Sequence, residues 1–185
     1  MSATIEGIPQ ARSATLRYDA RTITLHWLTA ALVASLWVSE QISDWFSRPW
    51  RADILSLHIT FGVALILVLA LRIFWRLTGG RSLPDADSGI MRFLARATHY
   101  LLYAGVIATV SLGLVVEAIR ADAIWGLLQL PSIAPGDKPL IRTITHYHEL
   151  AANSVLILAG LHAAAALVHH YILRDGVLRR MLPSA

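Results

Sequence analysis

The chain has 185 residues, 56% of them hydrophobic and 15% charged, with a positive mean hydropathy. That balance is too apolar for a soluble domain of this length and fits one integral membrane domain. The absence of cysteine excludes disulfides, iron–sulfur clusters and haem attached through Cys-x-x-Cys-His, and a net charge of +4 with no basic run excludes a nucleic-acid surface.

In chain order, residues 1–21 hold Arg12, Arg17, Asp19 and Arg21 but no apolar core followed by a small-residue cleavage site. They are expected to be a short cytoplasmic tail and not a cleaved signal. Four segments, residues 22–42, 54–77, 98–119 and 146–173, are each long enough for a hydrocarbon core of about 30 Å, which takes roughly 20 residues. Backbone groups in lipid must pair within their own segment, so all four are predicted helices. The expected fold is all-α: an integral membrane four-helix bundle over residues 22–173, with a C-terminal tail at 174–185. Residues 43–53 read as a short polar loop. Residues 78–90 read as a turn-rich linker into a basic amphipathic stretch at 91–97, and residues 120–145 as the longest outer segment, shaped by Pro131, Pro135, Gly136 and Pro139.

Arginine and lysine give the orientation. The N-terminal tail, the linker region after the second span and the C-terminal tail hold eleven of them, against five in the two opposite loops. Both termini are therefore expected in the cytoplasm, and the six tryptophans fall mostly near span ends, as an interfacial belt does.

Histidines carry the chemistry. His148 and His162 lie 14 residues apart on the fourth span, about 21 Å along a helix and only about 40° apart in direction. One helix thus presents an imidazole toward each membrane face, and ionisable groups at such depths are kept for function. His58 starts the second span near the outer face and His26 starts the first near the inner face. Facing helices can then supply two axial imidazole pairs for non-covalent haem: His58 with His148 outside, and His162 with His26, or alternatively with His99, inside. Gly62, Gly160 and Ala163–Ala166 leave room for a flat macrocycle, though small residues equally allow close helix packing. Arg72 and Arg76 are candidate partners of haem propionates, or simply positive-inside flank residues. His99, His169 and His170 read first as interfacial anchors and second as quinone or proton-relay groups.

The segments LHWL (25–28), LHITFG (57–62), RIFWR (72–76), HYLLY (99–103), YHE (147–149), GLHAAAALVHHY (160–171) and LRRMLP (178–183) together resemble the bacterial diheme cytochrome b561 family. The likeness is nearest to its superoxide oxidase branch and covers nearly everything from residue 17 onward. It implies two b haems ligated by His26, His58, His148 and His162, which favours His26 over His99. It also implies electron transfer from superoxide to ubiquinone in the bacterial inner membrane. Superoxide is an anion, and Arg120, Lys138 and Arg142 on the outer side are expected to raise its local concentration. The rival expectation is an electron-transfer subunit that links a hydrogenase- or dehydrogenase-type partner protein to the quinone pool.

Overall fold

The computed structural model describes residues 17–86, 88–127, 129 and 131–183. These form α1 (Ala20–Ser43), α2 (Arg48–Thr78), α3 (Gly89–Arg120) and α4 (Lys138–Val168), with no strand among the described residues. A π-helical turn (His169–Leu173) continues α4, and a short 3-10 helix (Leu178–Met181) follows. All four long helices have the length and hydropathy to cross a membrane, so the chain is a multi-pass membrane protein.

The helix starts have local causes. Asp19 caps α1 by accepting from the Thr22 backbone N–H at 2.9 Å and the Thr22 hydroxyl at 2.6 Å. Proline stands in the first turn of α2 and of α4, where its missing N–H leaves no bond unmade, and Asp137 caps α4 through the Leu140 N–H at 2.9 Å. These starts move the boundaries read from hydropathy. Helix α2 begins at Arg48, so only residues 44–47 separate the first two helices; residues 91–97 are the opening turns of α3 itself. Helix α4 takes in residues 138–145, leaving 121–137 as the true connection.

Helices α1 and α2 pack along their length as one hairpin, and α3 and α4 as another, while contacts between the hairpins are sparse. What joins them at mid-height is an apolar plug of Leu65, Leu69, Val106 and Val155, flanked by Leu32, Val33, Leu36, Ile73, Tyr103 and Val110. A hydrogen bond from Trp37 Nε1 to Asn153 Oδ1 at 3.3 Å adds a tie between α1 and α4. Leu65 and Val155 are each only 3% exposed, whereas Leu67, Phe74 and Ile157 turn outward, as lipid-facing side chains do.

One end of the bundle, the termini end, gathers the first and last of the described residues. Tyr18 donates its N–H to the Arg180 carbonyl at 3.1 Å, Trp27 Nε1 donates to the Met181 carbonyl at 2.8 Å, and Arg180 donates to the Pro84 carbonyl at 2.8 Å. Residues 174–183 are accordingly folded back onto the helices and are not a loose tail. Of the N-terminal tail, residues 1–16 with Arg12 lie outside the described residues. At the opposite end, the 121–137 connection lies over α2, with Trp125 donating its backbone N–H to Ser56 Oγ at 2.9 Å and its indole N–H to Thr60 Oγ1 at 3.1 Å.

Candidate cofactor sites: two facing histidine pairs

The plug divides the bundle into two levels. On α2, Leu65 stands midway between His58 and Arg72; on α4, Val155 stands midway between His148 and His162. A step of fourteen residues returns to nearly the same helix face, so each helix sends side chains into the space between the hairpins both above and below the plug.

Toward the end opposite the termini, His58 and His148 face each other across that space, with ring centres 6.3 Å apart and planes at 76°. Toward the termini end, His26 and His162 do the same at 6.2 Å and 76°. Two imidazoles bound to one metal atom from opposite sides have centres about 6.3 Å apart, from two nitrogen–metal bonds of about 2.0 Å and about 1.15 Å from each nitrogen to its ring centre. Both pairs have that spacing. His99 comes within 5.1 Å of His162, too close for a metal between them, and its Nδ1–H is spent on the Ala95 carbonyl of its own helix at 2.6 Å.

The hydrogen bonds behind the rings assign tautomers. His148 Nδ1 lies 2.9 Å from the Thr109 carbonyl, which only accepts, so His148 is protonated there and Nε2 keeps its lone pair. His58 Nδ1 lies 3.0 Å from Ser39 Oγ, and the Ser39 hydroxyl donates its own proton to the Leu36 carbonyl at 2.7 Å. Ser39 therefore accepts from His58, whose Nε2 is likewise free. Both rings of this pair are prepared to bind metal. Among the described residues no group of three or more His, Cys, Asp or Glu could hold a bare metal ion. Two imidazoles alone do not complete a metal's shell, so a planar tetradentate ligand such as a porphyrin fits what the pairs leave open. Open space beside Gly62, one turn from His58, where an added Cβ would meet nothing within 4 Å, fits it too, whereas Gly160 is exposed on the far side of α4 from His162.

Arg72 reaches the termini-side pair: Nη2 lies 3.1 Å from His26 Nδ1 and Nε donates to the Tyr103 hydroxyl at 3.0 Å. Arg76, one turn on, is exposed in the last turn of α2. His162 sits level with His26 because α4 overhangs: it runs on to Leu173, about 16 Å past His162, while α1 starts only about 9 Å before His26. At that overhang His169 Nδ1 bonds the Asp175 carboxylate, which also accepts from the Val177 N–H at 3.0 Å. Burial works against the Asp175 charge, yet these bonds outweigh it and hold the carboxyl below its usual range. His170 Nδ1 is buried with no partner among the described residues.

The cations expected to steer an anion divide. Arg120 lines a cleft of about 170 Å³ that opens onto His58, together with Ser39, Glu40, Ser43 and Arg51. Lys138 and Arg142, exposed on the first turns of α4, do not line it. Arg51, which sequence reasoning missed, does. A second and larger cleft, about 610 Å³, lies under the 121–137 connection and also has Arg120 in its wall.

The family described as prokaryotic cytochrome b561 matches residues 17–184. A probable superoxide oxidase CybB of Yersinia pestis is 30% identical over 170 residues, covering 90% of this chain and 96% of that protein. Cytochrome b561 homolog 1 of Escherichia coli K12 is 30% identical over 176 residues, covering 90% and 97%. Cytochrome b562 of Cereibacter sphaeroides is 29% identical over 171 residues, covering 89% and 94%.

Proposed function

The chain belongs to the prokaryotic cytochrome b561 family, membrane electron-transfer proteins with b-type haem, and on that premise we propose that it is a diheme superoxide:quinone oxidoreductase of the bacterial inner membrane with both termini cytoplasmic. His58 and His148 would hold the outer haem and His26 and His162 the inner one. The observation that carries this reading is the pair of imidazole–imidazole spacings, 6.3 and 6.2 Å, at two levels of one bundle. The two groups, once bound, supply one-electron transfer along the bundle axis. Everything else is work for the chain.

Superoxide arrives as a small anion. Arg51, paired with Asp44 at 3.2 Å, and Arg120, paired with Asp122 at 2.7 Å, bring two guanidinium groups to the wall of the cleft beside His58 that Glu40 also lines, and these are the groups that would draw it in. Two superoxide anions lose one electron each and leave as O2; a quinone takes those two electrons with two protons and becomes a quinol. Of the proton-carrying groups, His99, His169 with Asp175, and His170 lie toward the termini end, where they can pass protons inward from the cytoplasmic side. The likeness to a protein named as a probable superoxide oxidase supports the donor, and the eleven-to-five split of cations supports the orientation.

The test uses the purified protein alone in detergent with a superoxide source and a soluble ubiquinone analogue. Expected are a reduced b-type spectrum that outpaces spontaneous dismutation, two haems per chain by pyridine haemochrome, and quinol formation. A haem-loaded protein that superoxide leaves oxidised, but that a dehydrogenase-type partner reduces, assigns it to electron transfer within a larger complex. A colourless preparation overturns the reading altogether.

A further inference from the structure

The two histidine pairs are alike in spacing and unlike in what stands behind them. On His58 and His148 the nitrogen away from the gap meets an acceptor. On His26 it meets Arg72 Nη2 at 3.1 Å. A guanidinium has only donors, so His26 accepts at Nδ1, and a neutral ring that accepts there carries its proton on Nε2. That is the nitrogen a metal between the rings would need. The guanidinium is also braced, with Nε donating to the Tyr103 hydroxyl at 3.0 Å and its carbon 5.3 Å from the Tyr103 ring centre. His162 has no hydrogen-bond partner among the described residues, so nothing on α4 offsets the mismatch.

We infer that Arg72 is a latch on the termini-side site: while its guanidinium rests on His26 that pair is closed to metalloporphyrin, and the porphyrin's own carboxylates open it by drawing Arg72 away. This rests on the haem reading above. Carboxylates are what a guanidinium binds best, through two parallel N–H···O bonds. Haem b carries two of them, and Arg76 stands one turn from Arg72 to take the second. Once Arg72 leaves, the His26 proton moves from Nε2 to Nδ1 by exchange with water, no net proton is gained or lost, and the lone pair comes to Nε2. The other pair needs no such release, because both its rings already present Nε2. Loading is therefore ordered, with the His58/His148 site first, and the second site selects for free porphyrin carboxylates.

The full-length chain, made under haem limitation and held in detergent, is titrated with haem b and, separately, with its dimethyl ester, whose carboxylates are capped. Low-spin bis-imidazole absorbance is read per chain. The wild type is expected to take up about two equivalents of haem b and about one of the ester, and Arg72→Leu about two of each. Two equivalents of ester in the wild type overturn the latch while leaving the haem reading intact; no uptake of either compound overturns the haem reading itself. One equivalent of ester in an Arg72→Leu chain that still takes two of haem b also overturns the latch. Nitrogen NMR of the labelled, haem-free wild type needs no variant. It is expected to show His26 protonated at Nε2 and His58 and His148 at Nδ1, and His26 protonated at Nδ1 overturns the inference.

Discussion

Gly113 of α3 is where His148 of α4 finds room: a Cβ on Gly113 would stand 3.0 Å from His148 Cε1. The ring lies against the α3 backbone at that spot, and one turn earlier the Thr109 carbonyl accepts a hydrogen bond from its Nδ1–H. Gly113→Val should push the imidazole out of line. The expected result is selective loss of the haem nearer the 121–137 connection, with affinity falling about 10–100-fold as for other supporting-shell changes. Gly105→Val is the control, because there a Cβ meets Val155 Cγ2 at 2.8 Å inside the apolar plug; it should lower thermal stability and both haems together.

Removing single ligands should separate the two levels. His148→Leu or His58→Leu is expected to leave about one haem per chain and to abolish reduction by superoxide, since the remaining group lies on the far side of the plug. His26→Leu should also leave about one, yet keep reduction of that haem by superoxide while quinol formation fails. Haemochrome counts and stopped-flow spectra distinguish these outcomes.

Arg51 and Arg120 share a cleft with His58, and their charges should act on rate more than on affinity. Arg51→Gln and Arg120→Gln should each slow reduction by superoxide several-fold at low ionic strength and flatten its salt dependence, since screening sets in over about 10 Å at 0.1 M salt. Lys138→Gln and Arg142→Gln, outside that cleft, should change it little.

Asp19 clasps the termini end. Besides capping α1 it accepts from Trp75 Nε1 at 2.9 Å, near the end of α2, and from the Arg81 N–H at 3.1 Å, just past it. Partial burial opposes its charge, but the hydrogen bonds from Thr22, Arg81 and Trp75 outweigh it, so the carboxyl is held well below the usual carboxylate range. A lowered folded pKa stabilises the fold at every pH above the unfolded value of about 4 and ceases to do so only as pH falls through the lower folded value. Asp19→Asn should therefore cost about 1 kcal/mol at neutral pH, seen as a lower thermal midpoint, and the gap from wild type should close only in strong acid.

Much of this organisation was legible in the residues. A stretch such as 146–173 announces its own hydropathy, and a fourteen-residue interval between His148 and His162 is periodicity, which a string of letters preserves. His26, His58, His148 and His162 could be sorted by depth because spans alternate direction. What stayed hidden is what depends on contact between distant segments. Nothing near Ser39 or Thr109 says that each will accept a hydrogen bond from a ring 19 or 39 residues away. Arg51 looks like any interfacial cation until the turn at 44–47 folds it toward His58. Helix starts differ from the hydropathy boundaries for a simpler reason: hydropathy stops at the first polar residues, while the backbone continues through Arg48–Pro49 and Lys138–Pro139, where proline in the first turn is the available signal. The overhang of α4, which levels His162 with His26, follows from the relative lengths of α4 and α1, and composition alone does not report those.

Helix α4 contributes a ring to each pair, and it leaves the ribosome after α1, α2 and α3. Until it has been inserted beside its neighbours, His26 and His58 lack their counterparts His162 and His148, so on the proposed reading a product that stops short of α4 would hold no iron between two imidazoles. On that reading redox activity would wait for α4, and a chain lacking this helix would be a poor source of stray electrons in the membrane.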